Sequence, residues 1–305
     1  MSFVLAATLP PFTLNLWQDV QTLLSYGFMQ QAVLAGTIIS LVAGLTGYFV
    51  VLRHQVFAGE SLSDVAFTGA LGGAALGINP LAGLIGTTVI VAVAMGGFGE
   101  RLRGRDVAIG TVLAWVLGLG VLFLSLFTTR VSGTGTGISG VTVLFGNILG
   151  ISSTQTQAIL LSSAVVLVAL LFIGRPLLFA SLDPDVAAAR GVPVRMLGLI
   201  FMVLLAITVS VAVMAVGALL VFALLLLPAA IAHQISSRPF VALALAAGCA
   251  IALTWIGLAI GFYTGYPSSV CISLLAFVSY IAVVGTMAIG RNTPTKTLTR
   301  EVSTS

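Results

Sequence analysis

Long apolar runs separated by short polar breaks set the pattern of this chain. A continuous apolar stretch of about 17–25 residues is long enough to cross a bilayer as a helix. Nine runs are candidates: about Phe28 to Leu52, Phe57 to Pro80, Leu81 to Phe98, Val107 to Phe127, Gln157 to Ile173, Met196 to Ala215, Gly217 to Ala232, Val241 to Phe262 and Val270 to Ile289. Arg53-His54, the turn Gly77-Ile78-Asn79-Pro80, the charged loop Glu100 to Asp106, the Gly/Ser/Thr-rich stretch Thr128 to Gly140 and the polar segment His233 to Pro239 supply breaks between them. A further apolar piece, Val141 to Ser152, is too short to span and predicts a re-entrant or interfacial segment. Short alternating segments, the mark of a transmembrane β-barrel, are missing. The pattern therefore predicts an all-α, polytopic helical membrane protein with about eight or nine transmembrane helices. Residues 1–27 form an N-terminal segment, 28–290 the membrane domain and 291–305 a polar tail.

Composition agrees: 59% of the residues are hydrophobic and 7% charged, with mean hydropathy +1.20, whereas soluble domains are about a quarter charged. The N-terminal MSFVLAATLPPF lacks a basic n-region and a clear cleavage site, which argues against a removable signal peptide. Basic residues orient the chain. With an external N-terminus, Arg53, Arg101, Arg103, Arg105, Arg175, Arg190, Arg195, Arg238, Arg291, Lys296 and Arg300 share one side and only Arg130 faces the other. By the positive-inside rule that side is cytoplasmic, as is the C-terminus. The expected location is the plasma (inner) membrane, multi-pass, in the lipid bilayer. The net charge of +4 is thus a topology signal, and no nucleic-acid partner is expected. Cys249 and Cys271 lie in separate apolar runs without metal-finger spacing and read as core residues.

Candidate chemistry begins with the acids. Of eight, six fall outside the spans, which leaves Glu60 and Asp64 at the head of the second run. Four residues apart, they lie one turn above each other on one helix face. At the membrane interface, Glu60 would be favoured by the helix macrodipole. Deeper, the pair would need a bundle interior, a water-filled path or a cation. The run Val216 to Gln234 carries Pro228 and ends near His233. That His is either a lone interfacial residue or a third ligand, because carboxylates with imidazole suit manganese, iron(II) or zinc. The long connection Gly174 to Arg195 contains SLDPDVAAARGVPVR. It predicts a short helix, Pro184 to Arg190, with Asp183 as N-cap, Pro184 at N1 and Gly191 at C′. Such a helix is either a solvated connector or a docking element for a cytoplasmic partner. No GxxxxGK[ST] occurs and Lys296 is the only lysine, so the chain is not a P-loop ATPase.

The stretches FMQQAVLAGTIISLVAGLTGYFVVLRHQVFAGESLSDVAFTGA, AIGTVLAWVLGLGVL, LFGNILGIS, SLDPDVAAARGVPV, VGALLVFALLLLPAAIA and GFYTGYPSS, in this order, resemble the permease subunits of metal-ion ABC importers of the zinc, manganese and iron type. The resemblance implies a homodimeric or paired permease, separate cytoplasmic ABC ATPase subunits and an extracytoplasmic metal-binding protein. It implies that residues 174–195 form the coupling loop, with Asp183, Pro184, Asp185, Ala188, Arg190 and Gly191 seating the ATPase. Glu60 and Asp64 match the family's acidic-then-histidine pair, with Asp64 in place of the usual His. That exchange hardens the site and leans toward manganese or iron(II) over zinc. No permanently bound cofactor is expected; the metal is the cargo. Two alternatives remain: a proton-coupled secondary metal transporter, or an ABC permease for a metal chelate.

Overall fold

The computed structural model describes residues 25–98, 105–131, 146 and 148–291. The N-terminal segment up to residue 24, most of the charged loop 99–104, residues 132–145 and 147, and the tail from residue 292 lie outside the described residues. Ten α-helices make up the described chain: α1 (Gly27–Leu52), α2 (Val56–Ala75), α3 (Pro80–Phe98), α4 (Arg105–Val131), α5 (Ser153–Leu182), α6 (Pro184–Ala189), α7 (Val194–Val216), α8 (Ala218–Ile235), α9 (Pro239–Thr264) and α10 (Ser268–Arg291). Six of them, α1, α3, α5, α7, α9 and α10, are long and apolar enough to cross a membrane. Shorter apolar helical stretches, Gly110–Leu126 and Leu220–Ile235, lie in α4 and α8. α2 is outside both groups because its acids, serines and glycines lower its hydropathy.

α1 and α7 are the most buried spans and form the centre of the bundle. α1 touches α5, α7, α8 and α9; α7 touches α3, α5 and α2; α2 packs on α3 and α4; α10 closes against α8 and α9. Hydroxyl pairs fix the register of the central helices. Thr46 and Thr208 Oγ1 atoms are 3.3 Å apart across α1 and α7, and Thr88 Oγ1 lies 2.6 Å from Ser210 Oγ across α3 and α7. Such interhelical bonds matter where lipid offers no hydrogen-bonding alternative. Close approach is provided by Gly47. A Cβ there would run into the Leu225 carbonyl of α8.

The predicted elements recur with one difference. α5 does not stop near Ile173 but continues through Gly174-Arg175-Pro176 to Leu182, so the long polar connection is largely helix. Leu177, Leu178 and Ala180 bury their apolar face in the bundle, which outweighs the lost hydrogen bond and steric cost of Pro176. Its N-terminus is fixed by a capping box in which Gln155 N donates to Ser152 Oγ at 3.3 Å and Ser152 N donates to Gln155 Oε1 at 3.0 Å. The near-loopless junction expected between the two apolar runs is present between α7 and α8. Gly217 alone separates them, at φ 91° and ψ 155°, a conformation essentially restricted to glycine. Gly146, with φ 70°, lies against this break, where a Cβ would meet Gly217 N at 2.5 Å and Ala215 O at 2.6 Å. Ile148, in the 3-10 turn Ile148–Gly150, is buried beside α1. The short piece expected to be re-entrant or interfacial thus packs into the bundle at its described end.

Candidate metal path and coupling helix

The ends of α1, α5 and α7 gather at one basic end of the bundle. Arg53, at the C-cap of α1, places its guanidinium carbon 5.6 Å from the centre of the Phe201 ring and Nη1 3.5 Å from Ser181 Oγ. α2 starts from this end. Glu60 and Asp64 lie about 6 and 12 Å along its axis from Val56, at 1.5 Å per residue.

α2 is almost entirely buried, and that makes its open positions informative. Among its residues only Phe57 and Glu60 are exposed, and Val56, Asp64, Phe67 and Ala74 are partly buried. The spacing 57, 60, 64, 67 places these four on one narrow strip of the helix. The opposite faces are held by their neighbours. Ser63 Oγ donates to Ala218 O at 2.5 Å, at the first residue of α8, and Thr68 Oγ1 donates to Val116 O of α4 at 3.2 Å. A Cβ on Gly59 would rest on Leu225 Cδ2 at 3.4 Å. The acids therefore sit on a helix clamped to α4 and α8, with their strip left open between two phenylalanines.

His233 is placed elsewhere. Its ring stacks on Tyr48 of α1 with centroids 4.5 Å apart and planes 2° from parallel, and Nε2 lies 3.3 Å from Tyr48 O. Among the described residues no three His, Cys, Asp or Glu side chains come together as a metal-binding group. The expected trio of Glu60, Asp64 and His233 is thus not assembled within one chain. The physical reason is that the imidazole is committed to Tyr48 of α1.

The short helix of the connection forms as its sequence predicts. Asp183 caps α6, accepting from Val186 N at 3.0 Å, Pro184 opens it, Asp185 lies in its first turn, Arg190 is the C-cap and Gly191 follows at φ 80°. Ala187 is buried; Pro184, Asp185, Ala188 and Arg190 are exposed. Arg190 folds back so that its guanidinium carbon is 5.6 Å from the centre of the Phe179 ring in α5. Leu182 and Val186 leave an apolar patch around this exposed helix, 59% and 42% exposed.

The ABC 3 transport family matches residues 25–287, nearly all of the described chain. The chain belongs to that family. It is 33% identical over 234 residues to the manganese transport system membrane protein MntC of Halalkalibacterium halodurans, covering 76% of this chain and 78% of that one. It is 30% identical over 209 residues to the high-affinity zinc uptake system membrane protein ZnuB of Haemophilus influenzae, covering 68% of this chain and 78% of that one. Among solved structures, PsaBC from Streptococcus pneumoniae in complex with Fab superposes with a TM-score of 0.76 at 25% identity, over 88% of this chain and 94% of that chain. As a member of an ABC transport family, the chain is a membrane permease of the metal-importer type and not a proton-coupled secondary transporter.

Some of the local geometry had no signal in the sequence. Nothing in the residue order pairs Ser63 with Ala218 or His233 with Tyr48, which are 155 and 185 residues apart. The break at Gly217 did leave a trace, since two apolar runs meet there with almost no loop.

Proposed function

We propose that this protein is the membrane-spanning permease of an ATP-driven importer that moves divalent transition-metal ions into the cytoplasm, with manganese or iron(II) favoured. The observation that carries the reading is the strip Phe57-Glu60-Asp64-Phe67, which holds both exposed residues of a largely buried helix. Two carboxylates facing lipid would be costly, so the strip lines a passage completed by a second permease, a homodimer or a paired subunit. There Glu60 and Asp64 supply hard oxygen ligands, and a set lacking imidazole favours manganese and iron(II). Zinc stays a weaker cargo. The ligands within one chain are few, which suits a path that must release what it captures.

The ATPase is a separate subunit. Asp183, Pro184, Asp185, Ala188, Arg190 and Gly191 form the helix on which it seats, on the cytoplasmic side together with the C-terminus, and an extracytoplasmic metal-binding protein delivers the ion. Residues 174–195 act as the coupling element, with α5 joined to it directly. Hydrolysis of ATP outside this chain would move α6, and α6 moves α5 through the Arg190–Phe179 contact.

The test is metal uptake by cells that lack the chromosomal copy and carry variants. Asp64→Asn and Glu60→Gln each abolish manganese accumulation, measured as total cell metal under chelator limitation, while the permease still co-purifies with its ATPase. Normal accumulation in Asp64→Asn would remove the strip from the path. Asp64→His, which restores an imidazole, shifts the accumulated metal toward zinc.

A further inference from the structure

α5 and α9 both pack on α1, and between them at the basic end runs a furrow of about 430 Å³. Leu45 and Phe49 of α1 form its floor, Leu167 and Leu170 of α5 and Leu243 of α9 line its sides, and Arg175 stands at its rim. The outer wall of α5 beside it is bare hydrocarbon, with Leu171 and Phe172 each 81% exposed. Arg238, the residue before Pro239 of the lining, is exposed at the same end. Among the described residues neither arginine side chain has an acidic partner, and no acid lines the furrow.

We propose that this furrow is a lipid site: it holds one acyl chain of a phospholipid with a net negative headgroup, whose phosphate pairs with Arg175 and is reinforced by Arg238. An almost wholly apolar slot open toward the membrane side fits a hydrocarbon tail and offers a water-soluble ligand nothing to bond. The guanidinium forks match a phosphate. Basic pockets between transmembrane helices at the basic end are where anionic headgroups are held. A zwitterionic lipid brings its own cation to the same place, so the net charge of the headgroup decides the preference. A second copy of the chain fits less well. A twofold contact across this furrow brings Arg175 toward its own image. The inference is independent of the metal cargo.

The experiment uses the full-length protein, released from nanodiscs containing equal amounts of phosphatidylglycerol and phosphatidylcholine, with retained lipids counted by native mass spectrometry. The wild type retains one phosphatidylglycerol in preference to phosphatidylcholine. Arg175→Gln, an exposed site, lowers that preference about fivefold, as expected for one basic residue near an anionic surface. Gly174→Phe fills the furrow, and a Cβ at that position meets nothing within 4 Å, so the bundle keeps its packing. This variant loses the retained lipid of either headgroup while melting at the wild-type temperature. Unchanged phosphatidylglycerol retention in both variants overturns the proposal. So does a wild type that holds the two lipids equally, or a Gly174→Phe protein whose only change is conversion of a dimer to monomers, which would make the furrow an interface between copies.

Discussion

Replacing Gly47 by alanine adds one methyl group at the closest approach of α1 to α8. That Cβ falls on the carbonyl of Leu225, with the carbonyl carbon 3.0 Å away, so the obstacle is backbone and not the flexible end of a side chain. Leu225 lies inside the hydrogen-bonded ladder of α8 and Gly47 inside that of α1, and neither can turn aside alone. The helices must separate. Separation also pulls apart the neighbouring Tyr48 and His233 rings, stacked at 4.5 Å. Overpacking costs about 1–3 kcal/mol, and a lost ring pair adds about 0.5–1.5 kcal/mol. Removing a mid-helix glycine returns about 0.5–1 kcal/mol. The net expectation is destabilisation by about 0.5–4 kcal/mol. Gly248→Ala in α9 is the control, since its Cβ meets nothing within 4 Å and the helix gain stands alone. Unfolding in mixed detergent micelles, followed by circular dichroism, compares the two. They should move the midpoint in opposite directions. If Gly47→Ala proves as stable as Gly248→Ala, the close crossing of α1 and α8 is refuted.

Three further outcomes follow from contacts already described. His233→Ala keeps metal uptake, because the ring serves α1 and not the open strip, but lowers stability by about 0.5–1.5 kcal/mol in the same unfolding assay. Asp183→Ala removes the cap of α6, worth about 1 kcal/mol to the helix, and weakens co-purification with the ATPase without disturbing the membrane domain, as judged by its melting. Thr88→Val leaves Ser210 without its partner in α3, at a cost of about 0.6 kcal/mol, and the double variant with Ser210→Ala recovers part of that loss.

The order of the described helices could be read from the apolar runs, because a membrane admits few other ways to satisfy a backbone and each run ends at a polar break. The cap of α6 was equally legible: Asp183, Pro184 and Gly191 act within a single turn of their own positions. The end of α5 was not. Gly174, Arg175 and Pro176 look like a stop, and only the burial of Leu177, Leu178 and Ala180 against other helices carries the helix past them. The candidate site divides the same way. The stacking of Glu60 over Asp64 is local geometry and follows from their spacing. The position of His233 depends on which face of α8 meets α1, a matter settled by Gly47 and Tyr48 far away in the chain.

α5 is a single shaft of 30 residues, about 45 Å from the Ser152 cap to the foot that carries α6. Its one soft joint, at Pro176, lies close to the foot and is splinted by the buried Leu177, Leu178 and Ala180. Under the proposed coupling role a push on α6 would be delivered as a tilt of the entire rod: five degrees at the foot becomes a sweep of about 4 Å at the far end. A few residues at one end of this rod would then shift its other end with no loop between them.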